Sequence, residues 1–177
     1  MTKPPNLHLL PSRVLRVNVG FLLSEGPAHH QDSRLDIPDP IRVADDLIIN
    51  HISGPLRLSR AKEGILVQLQ AQAGVDDVCS RCLTPFERTV LVEVEELYAH
   101  PASDFTEFSV GGDNNLDLAP LLRAEILIAL DEKALCYLDC RGLCSTCGVN
   151  LNEESCTCAN HAIDPRLAKL RQLLDLS

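Results

Sequence analysis

The sequence predicts an α+β fold: an antiparallel, barrel-like sheet, one helix packed on it, a cysteine-rich module and a short C-terminal helix. Three observations carry this. Apolar and polar residues alternate with a period of two through much of the stretch from residue 46 to residue 99. One apolar run, residues 118–130, repeats instead at spacings of three and four. The eight cysteines of the 177-residue chain fall in short pairs, six of them from Cys136 to Cys158.

Taken in order, residues 14–23 ("VLRVNVGFLL") read as a first strand. Residues 26–40 read as a polar, proline-rich loop, whose His29-His30 pair is a surface dyad rather than a ligand pair. Residues 46–59 and 64–75 both alternate and are joined by the turn "RAKEG", which predicts an antiparallel hairpin. The second strand places Ile65, Val67, Leu69 and Ala71 on one face and Gln68, Gln70 and Gln72 on the other. Residues 86–99 form a further strand, with Val90, Val92 and Val94 opposite Leu91, Glu93 and Glu95. Cys79-Ser-Arg-Cys82 lies in the turn between two long strands, where it can receive a segment from elsewhere. Asp117 caps the helix of residues 118–130, and Pro120 is tolerated in its first turn because its missing N–H would have no intrahelical partner. Leu118, Leu121, Leu122, Glu125, Ile126 and Ala129, of which only Glu125 is polar, form its packing face. Residues 163–177 read as an amphipathic helix with Asp164 as cap, Pro165 at its first position and an apolar stripe of Leu167, Leu170, Leu173 and Leu174. The organisation expected is a β-rich core over residues 1–135, a cysteine module over 136–162 packed on it, and the terminal helix.

Disulfides, a thiol redox centre and metal ligation compete to explain the cysteines. The N-terminus lacks the apolar segment of a secretion signal, and no run approaches the ~18 apolar residues of a membrane span. A cytoplasmic, thiol-reducing location is therefore expected, and disulfides are disfavoured there. A thioredoxin-like pair would open a helix; Pro85 and the strand-like alternation after Cys82 argue against one. Asp76 and Asp77 would raise a thiol pKa at that pair, while Arg81 works the other way. Metal ligation explains the most: four pairs with no cysteine left over suit two tetrahedral zinc ions. Cys144-Ser-Thr-Cys147-Gly148 has knuckle spacing, with a glycine free to take positive φ.

Cys144, Cys147, Cys156 and Cys158 are close enough in the chain to form one quartet, leaving Cys79 and Cys82 with Cys136 and Cys140 for the other. A second pairing joins Cys136 and Cys140 to Cys144 and Cys147, and Cys79 and Cys82 to Cys156 and Cys158. A third arrangement keeps one zinc alone. His161 is the nearby alternative ligand. Four-cysteine sites are closed to water and substrate, so a structural rather than catalytic metal is expected, and no H-E-x-x-H motif occurs.

The formal net charge is −9, and two tetrathiolate zinc centres would take it to about −13. Such a field disfavours nonspecific binding of nucleic acid and favours basic partners, or a contact through one local basic patch. The candidate patches are Arg57, Arg60 and Lys62, and Arg166, Lys169 and Arg171; the plain reading of each is a solvated face. Only 3% of residues are aromatic, which leaves little material for stacking single-stranded bases.

The strings "CSRCLTPF", "LDLAPLLRAEILIAL" and "CYLDCRGLCSTCGVNLNEESCTC" occur in that order and resemble the YceD family of large ribosomal RNA subunit accumulation proteins. The resemblance covers residues 75–158, and "GLCSTCGVNLN" is its most specific part. It departs at "LDEKALC", which lacks the prolines expected between helix and module. What the resemblance implies is a non-enzymatic role in large-subunit biogenesis. The partner would be a component of the pre-ribosomal large subunit, either a basic ribosomal protein or large-subunit rRNA. Two other readings stand beside it: a redox-responsive protein using Cys79 and Cys82, and a site-specific RNA-binding zinc protein with Arg141 near its tip.

Overall fold

The computed structural model describes residues 9–104, 106–130 and 133–158. In chain order the elements are β1 (Leu10–Pro11), a 3₁₀ turn (Ser12–Leu15), β2 (Arg16–Asn18), α1 (Gly20–Ser24), β3 (His30–Ile37), β4 (Ile41–Ala44), β5 (Leu47–Ile49), β6 (His51–Ala61), β7 (Gly64–Val78), β8 (Pro85–Ala99), β9 (Asn115–Asp117) and α2 (Ala119–Leu130). The α+β class is thus found. The stretch expected as one strand at 14–23 is instead a turn, a three-residue strand and a short helix. Leu15, Val19 and Leu22 explain the difference, because their spacing of four and three turns all three into the core, each with no exposed surface. The expected loop at 26–40 contains β3, an edge strand that buries little besides Leu35. The stretch 46–59 breaks at Asn50 into β5 and β6.

β3, β6, β7 and β8 form a four-stranded sheet in that order, antiparallel throughout. β6 and β7 turn over Lys62 and Glu63, where Ala61 pairs with Gly64. β7 and β8 stay in register along their whole length, from Gly64 opposite Ala99 to Val78 opposite Pro85. The sheet does not close into a barrel: β3 and β8 are its edges, and β1-β4-β5 and β2-β9 are separate small sheets.

Period-two alternation sends Leu56 and Leu58 of β6, Ile65, Val67, Leu69, Ala71 and Ala73 of β7, and Val90 and Val92 of β8 to one face. There they pack with Leu121, Leu122 and Ile126 of α2 in a single core. Each fully buried leucine or valine is worth about 1.5–3 kcal/mol. The start of α2 is pinned. Asp117 Oδ1 accepts from Ala119 N at 3.0 Å, and Asp117 Oδ2 accepts from Arg16 Nε at 3.0 Å. The buried Tyr98 hydroxyl donates to Asp117 O at 2.9 Å while its ring stacks on Phe108. At the other end, Arg88 of β8 donates to Ala129 O at 2.9 Å, satisfying a terminal helix carbonyl.

The sheet and α2 therefore hold the β7–β8 hairpin rigidly, with its distal tip at residues 79–84 extending beyond the core. The terminal helix expected at 163–177, with Arg166, Lys169 and Arg171, and the alternative ligand His161 lie outside the described residues.

Candidate metal centres

The hairpin tip is a knuckle. Leu83 N donates to Cys79 O at 2.9 Å, and Cys79 N donates to Thr84 O at 3.0 Å. The same two bonds recur farther along: Gly148 N donates to Cys144 O at 2.9 Å, and Cys144 N donates to Val149 O at 2.8 Å. In both, the residue after the second cysteine takes positive φ, +74° at Gly148 and +59° at Leu83. The glycine was legible; the equivalence of the two pairs was masked by a leucine doing a glycine's job. L-residues there cost about 1 kcal/mol or more. Gly148→Ala, whose added methyl would meet nothing within 4 Å, is expected to destabilise by about that backbone cost alone. Leu83→Gly, at a side chain 62% exposed, is expected to recover a similar amount. Urea midpoints at a fixed free-metal concentration check both.

The first knuckle receives Cys136 and Cys140. Ser80 N donates to Ala134 O at 2.8 Å, Leu143 N donates to Arg81 O at 3.2 Å, and Arg81 Nη1 donates to Cys140 O at 2.8 Å. Cys79, Cys82, Cys136 and Cys140 thereby form one group, and Cys144, Cys147, Cys156 and Cys158 another, each with its sulfurs within 4.8 Å of one another. A tetrahedral zinc with bonds of about 2.3 Å places its sulfurs about 3.8 Å apart. Cys79 and Cys140 Sγ lie 3.8 Å apart, and Cys82 and Cys136 Sγ 3.7 Å. These match the sulfur-to-sulfur separations of a tetrahedral tetrathiolate site and are nearly twice a disulfide bond. The chemistry of the donor set fits: four soft sulfurs, and no open position among them.

The groups differ in setting. Cys79, Cys82 and Cys140 are buried, with Phe86, Leu135 and Leu143 packed around them. In the second group Cys144 is buried, Cys156 and Cys158 are half-buried, and Cys147 is exposed. Burial pushes the Cys79 thiol up, but N–H groups of Cys136, Cys82 and Arg81 outweigh it and bring it down to about 6. The Thr84 hydroxyl, with its oxygen 3.3 Å from Cys82 Sγ, holds Cys82 below the usual thiol range. Burial and the neighbouring sulfurs push Cys136 up to about 12. The second group repeats the pattern. The N–H groups of Cys147 and Thr146 bring Cys144 down to about 6, and Cys147 and its neighbours push Cys158 up to about 12. Each quartet therefore carries thiolate readily on its knuckle and resists the last negative charge. A bound dication removes that resistance.

Asn152 joins the two groups. Its Nδ2 donates to Cys140 Sγ at 3.3 Å and to Asn150 Oδ1 at 2.8 Å, and its Oδ1 accepts from Arg141 N at 2.7 Å. Nothing in the sequence singled out Asn152 or Thr84.

The basic triad does not form a patch. Arg57 is paired with Asp32, and Arg60, on the opposite side of β6, donates to Ala61 O and Gly64 O at the hairpin turn. His29 and His30 are both exposed, each beside an acid, Glu25 and Asp32.

Residues 67–174 match the profile of the large ribosomal RNA subunit accumulation protein YceD, more than half of the chain. The chain belongs to the YceD family. A Mycobacterium tuberculosis protein described as uncharacterised is 38% identical over 125 residues, spanning 67% of this chain and 60% of the relative. A second, from Mycobacterium leprae, is 31% identical over 148 residues, 78% of this chain and 68% of the relative. The chloroplastic YceD homolog 1 of Zea mays, carrying the large ribosomal RNA subunit accumulation description, is 43% identical over 47 residues, 26% of this chain and 16% of its own. The matched segment is thus under two thirds of the length of the Mycobacterium tuberculosis relative. No solved structure matches the chain. The YceD family match begins before the knuckle, inside β7, and so takes in the hairpin that carries Cys79 and Cys82. Among the described residues no helix is long and apolar enough to cross a membrane.

Proposed function

We propose that this protein is a non-enzymatic, zinc-binding factor in large ribosomal subunit biogenesis that supports accumulation of large-subunit rRNA. The observation that carries the reading is the pairing of YceD membership with two four-sulfur quartets at metal-ligand spacing. Closed tetrathiolate sites fix folds and shape surfaces. Here they would be two zinc ions, one fastening the β7–β8 tip to residues 133–143 and one organising residues 144–158. Among possible partners on the pre-ribosomal particle, a basic ribosomal protein is favoured over rRNA. The chain's net charge is −9, and Arg57 and Arg60 are spent within the sheet. Redox use of Cys79 and Cys82 is disfavoured by access, since Cys79 has no exposed surface.

Native mass spectrometry of protein purified under reduction is expected to show two zinc ions per chain, and metal-free, folded protein would refute the zinc reading. In cells depleted of the protein, mature large-subunit RNA is expected to fall more than small-subunit RNA. Unchanged large-subunit RNA would refute the role in biogenesis.

A further inference from the structure

The second face of the four-stranded sheet, turned away from the core, has no covering element among the described residues. Its register sets Arg57 of β6 beside Gln68 of β7 and Gln68 beside Glu95 of β8, with Gln70 beside Glu93 and Gln72 beside Leu91. This face is hollowed rather than flat. A hollow of about 610 Å³ is lined by Arg57, Gln68, Gln70, Glu93 and Glu95 among others, and a smaller one continues past Leu91. β8 forms the rim. It is fifteen residues long; its outer edge is bridged to Ser109 at Ala99, and between Thr89 and Glu95 that edge has no backbone partner among the described residues.

Long unpaired edges invite another strand. This one carries neither lysine nor an internal proline, the usual deterrents. Its outward side chains from residue 87 to residue 95 are Glu87, Thr89, Leu91, Glu93 and Glu95, with Leu91 68% exposed. Among the described residues no Lys or Arg lies within ion-pair distance of these three carboxylates; Glu87 and Glu95 accept instead from the amides of Asn50 and Gln68. Arg57, the cation of the larger hollow, is already committed to Asp32, and Arg34 lies on the β3 side of the smaller one. A second copy of the chain would set acid against acid along this edge, which is destabilising. An extended strand carrying Lys or Arg at alternate positions would meet Glu93 and Glu95 with opposite charge, and the aliphatic stem of the basic residue beside Leu91 would cover that side chain.

We infer that the β8 edge and the acidic concave face beside it bind an extended, lysine- or arginine-rich polypeptide segment by strand addition. Main-chain bonds would supply affinity, and the carboxylates the choice of partner. This deepens the proposed function and rests on it for the origin of the segment, a basic ribosomal protein.

The test uses the full metal-loaded chain and a labelled twelve-residue peptide of alternating Lys and Val, read by fluorescence anisotropy. A peptide of equal charge with Pro in place of every Val cannot extend the ladder and serves as control. Saturable binding of the Lys-Val peptide is expected, with the Pro peptide at least about tenfold weaker. Glu93→Lys/Glu95→Lys and, separately, Leu91→Lys, which sets like charge against the peptide's lysines, are expected to weaken binding at least about tenfold with metal content and thermal midpoint retained. Both changes lie on exposed positions, so folding is not at stake. Equal binding of the two peptides, or unchanged affinity in the variants, overturns the site. So does an RNA oligomer that binds more tightly than the peptide and is lost with the same variants. So does a Lys-Val affinity that appears only after residues 159–177 are removed, since that identifies the chain's own C-terminal segment as the occupant. Depletion separates this from the parent reading: large-subunit RNA that falls on depletion but is fully restored by Glu93→Lys/Glu95→Lys refutes the site and leaves the role, whereas RNA indifferent to depletion refutes the role whatever the peptide does.

Discussion

Cys140→Ser is expected to remove one metal ion per chain and to cost about 4 kcal/mol, whereas Cys147→Ser removes the other ion for about 2.5 kcal/mol. The two differ in what they close. The first quartet joins sulfurs 54 and 61 residues apart in sequence. In the chain-entropy description of a cross-link, a loop of that size is worth about 4 kcal/mol, and the loop of about ten residues between Cys147 and Cys156 about 2.5 kcal/mol. Burial adds to the contrast, because Cys140 is buried and receives the Asn152 amide, while Cys147 faces solvent. Hydrogen exchange should show Cys140→Ser loosening the 79–84 tip and residues 133–143 together, with the middle of β7 still protected. Cys147→Ser should loosen residues 144–158 alone. Native mass spectrometry with zinc-buffered urea titrations measures both, and equal costs for the two substitutions would contradict the assignment of the long-range tie to the first quartet.

Gly54→Ala is expected to cost about 3 kcal/mol, the upper range for forcing one extra carbon into a packed interior. Gly54 sits in the middle of β6, where the pairing with β7 is interrupted between Ser53 opposite Gln72 and Leu56 opposite Leu69. A methyl added there would lie 2.0 Å from Gln70 O and 2.5 Å from Ala71 Cα, both backbone, so the strands themselves must separate. The following Pro55 can offer no N–H to repair the ladder. Gly26→Ala and Gly112→Ala, whose added carbons meet nothing within 4 Å, serve as controls expected to stay within about 0.5 kcal/mol. A Gly54→Ala protein with an unshifted thermal midpoint would mean the β6–β7 approach is looser than described.

What the sequence disclosed follows the strength of its periodicity. β7 and β8 were readable because alternation holds over most of their length, and Ile65, Val67, Leu69, Ala71, Val90 and Val92 are among the residues that fill the core. α2 was readable because its cap, its early proline and its apolar face agree. β3 was hidden: an edge strand with both faces largely wet has no reason to alternate, and Pro38 and Pro40 just beyond it suggested a loop. α1 was hidden by length, since five residues hold barely one helical repeat. At the cysteines, spacing proposed two quartets but left their partition open. The partition seen depends on the β7–β8 register, which delivers Cys79 and Cys82 to Cys136 and Cys140, and no local pattern encodes a contact across so long a span. The apparent basic triad failed for a related reason. Arg57 and Arg60 are three apart, neighbours on a helix but on opposite faces of a strand.

The long reach of the first quartet also has a history on the way to the folded state. During synthesis at about 5–20 residues per second, Cys79 and Cys82 precede Cys136 by roughly 3–10 s. Through that interval the β7–β8 hairpin can zip up, but its tip holds two thiols with half of their set still unmade. The later quartet, from Cys144 to Cys158, is complete within about 1–3 s of its first cysteine. A newborn chain thus passes through a stage in which its earliest knuckle waits longest for its partners, and whatever shields that dithiol during those seconds acts on the nascent chain rather than on the finished protein.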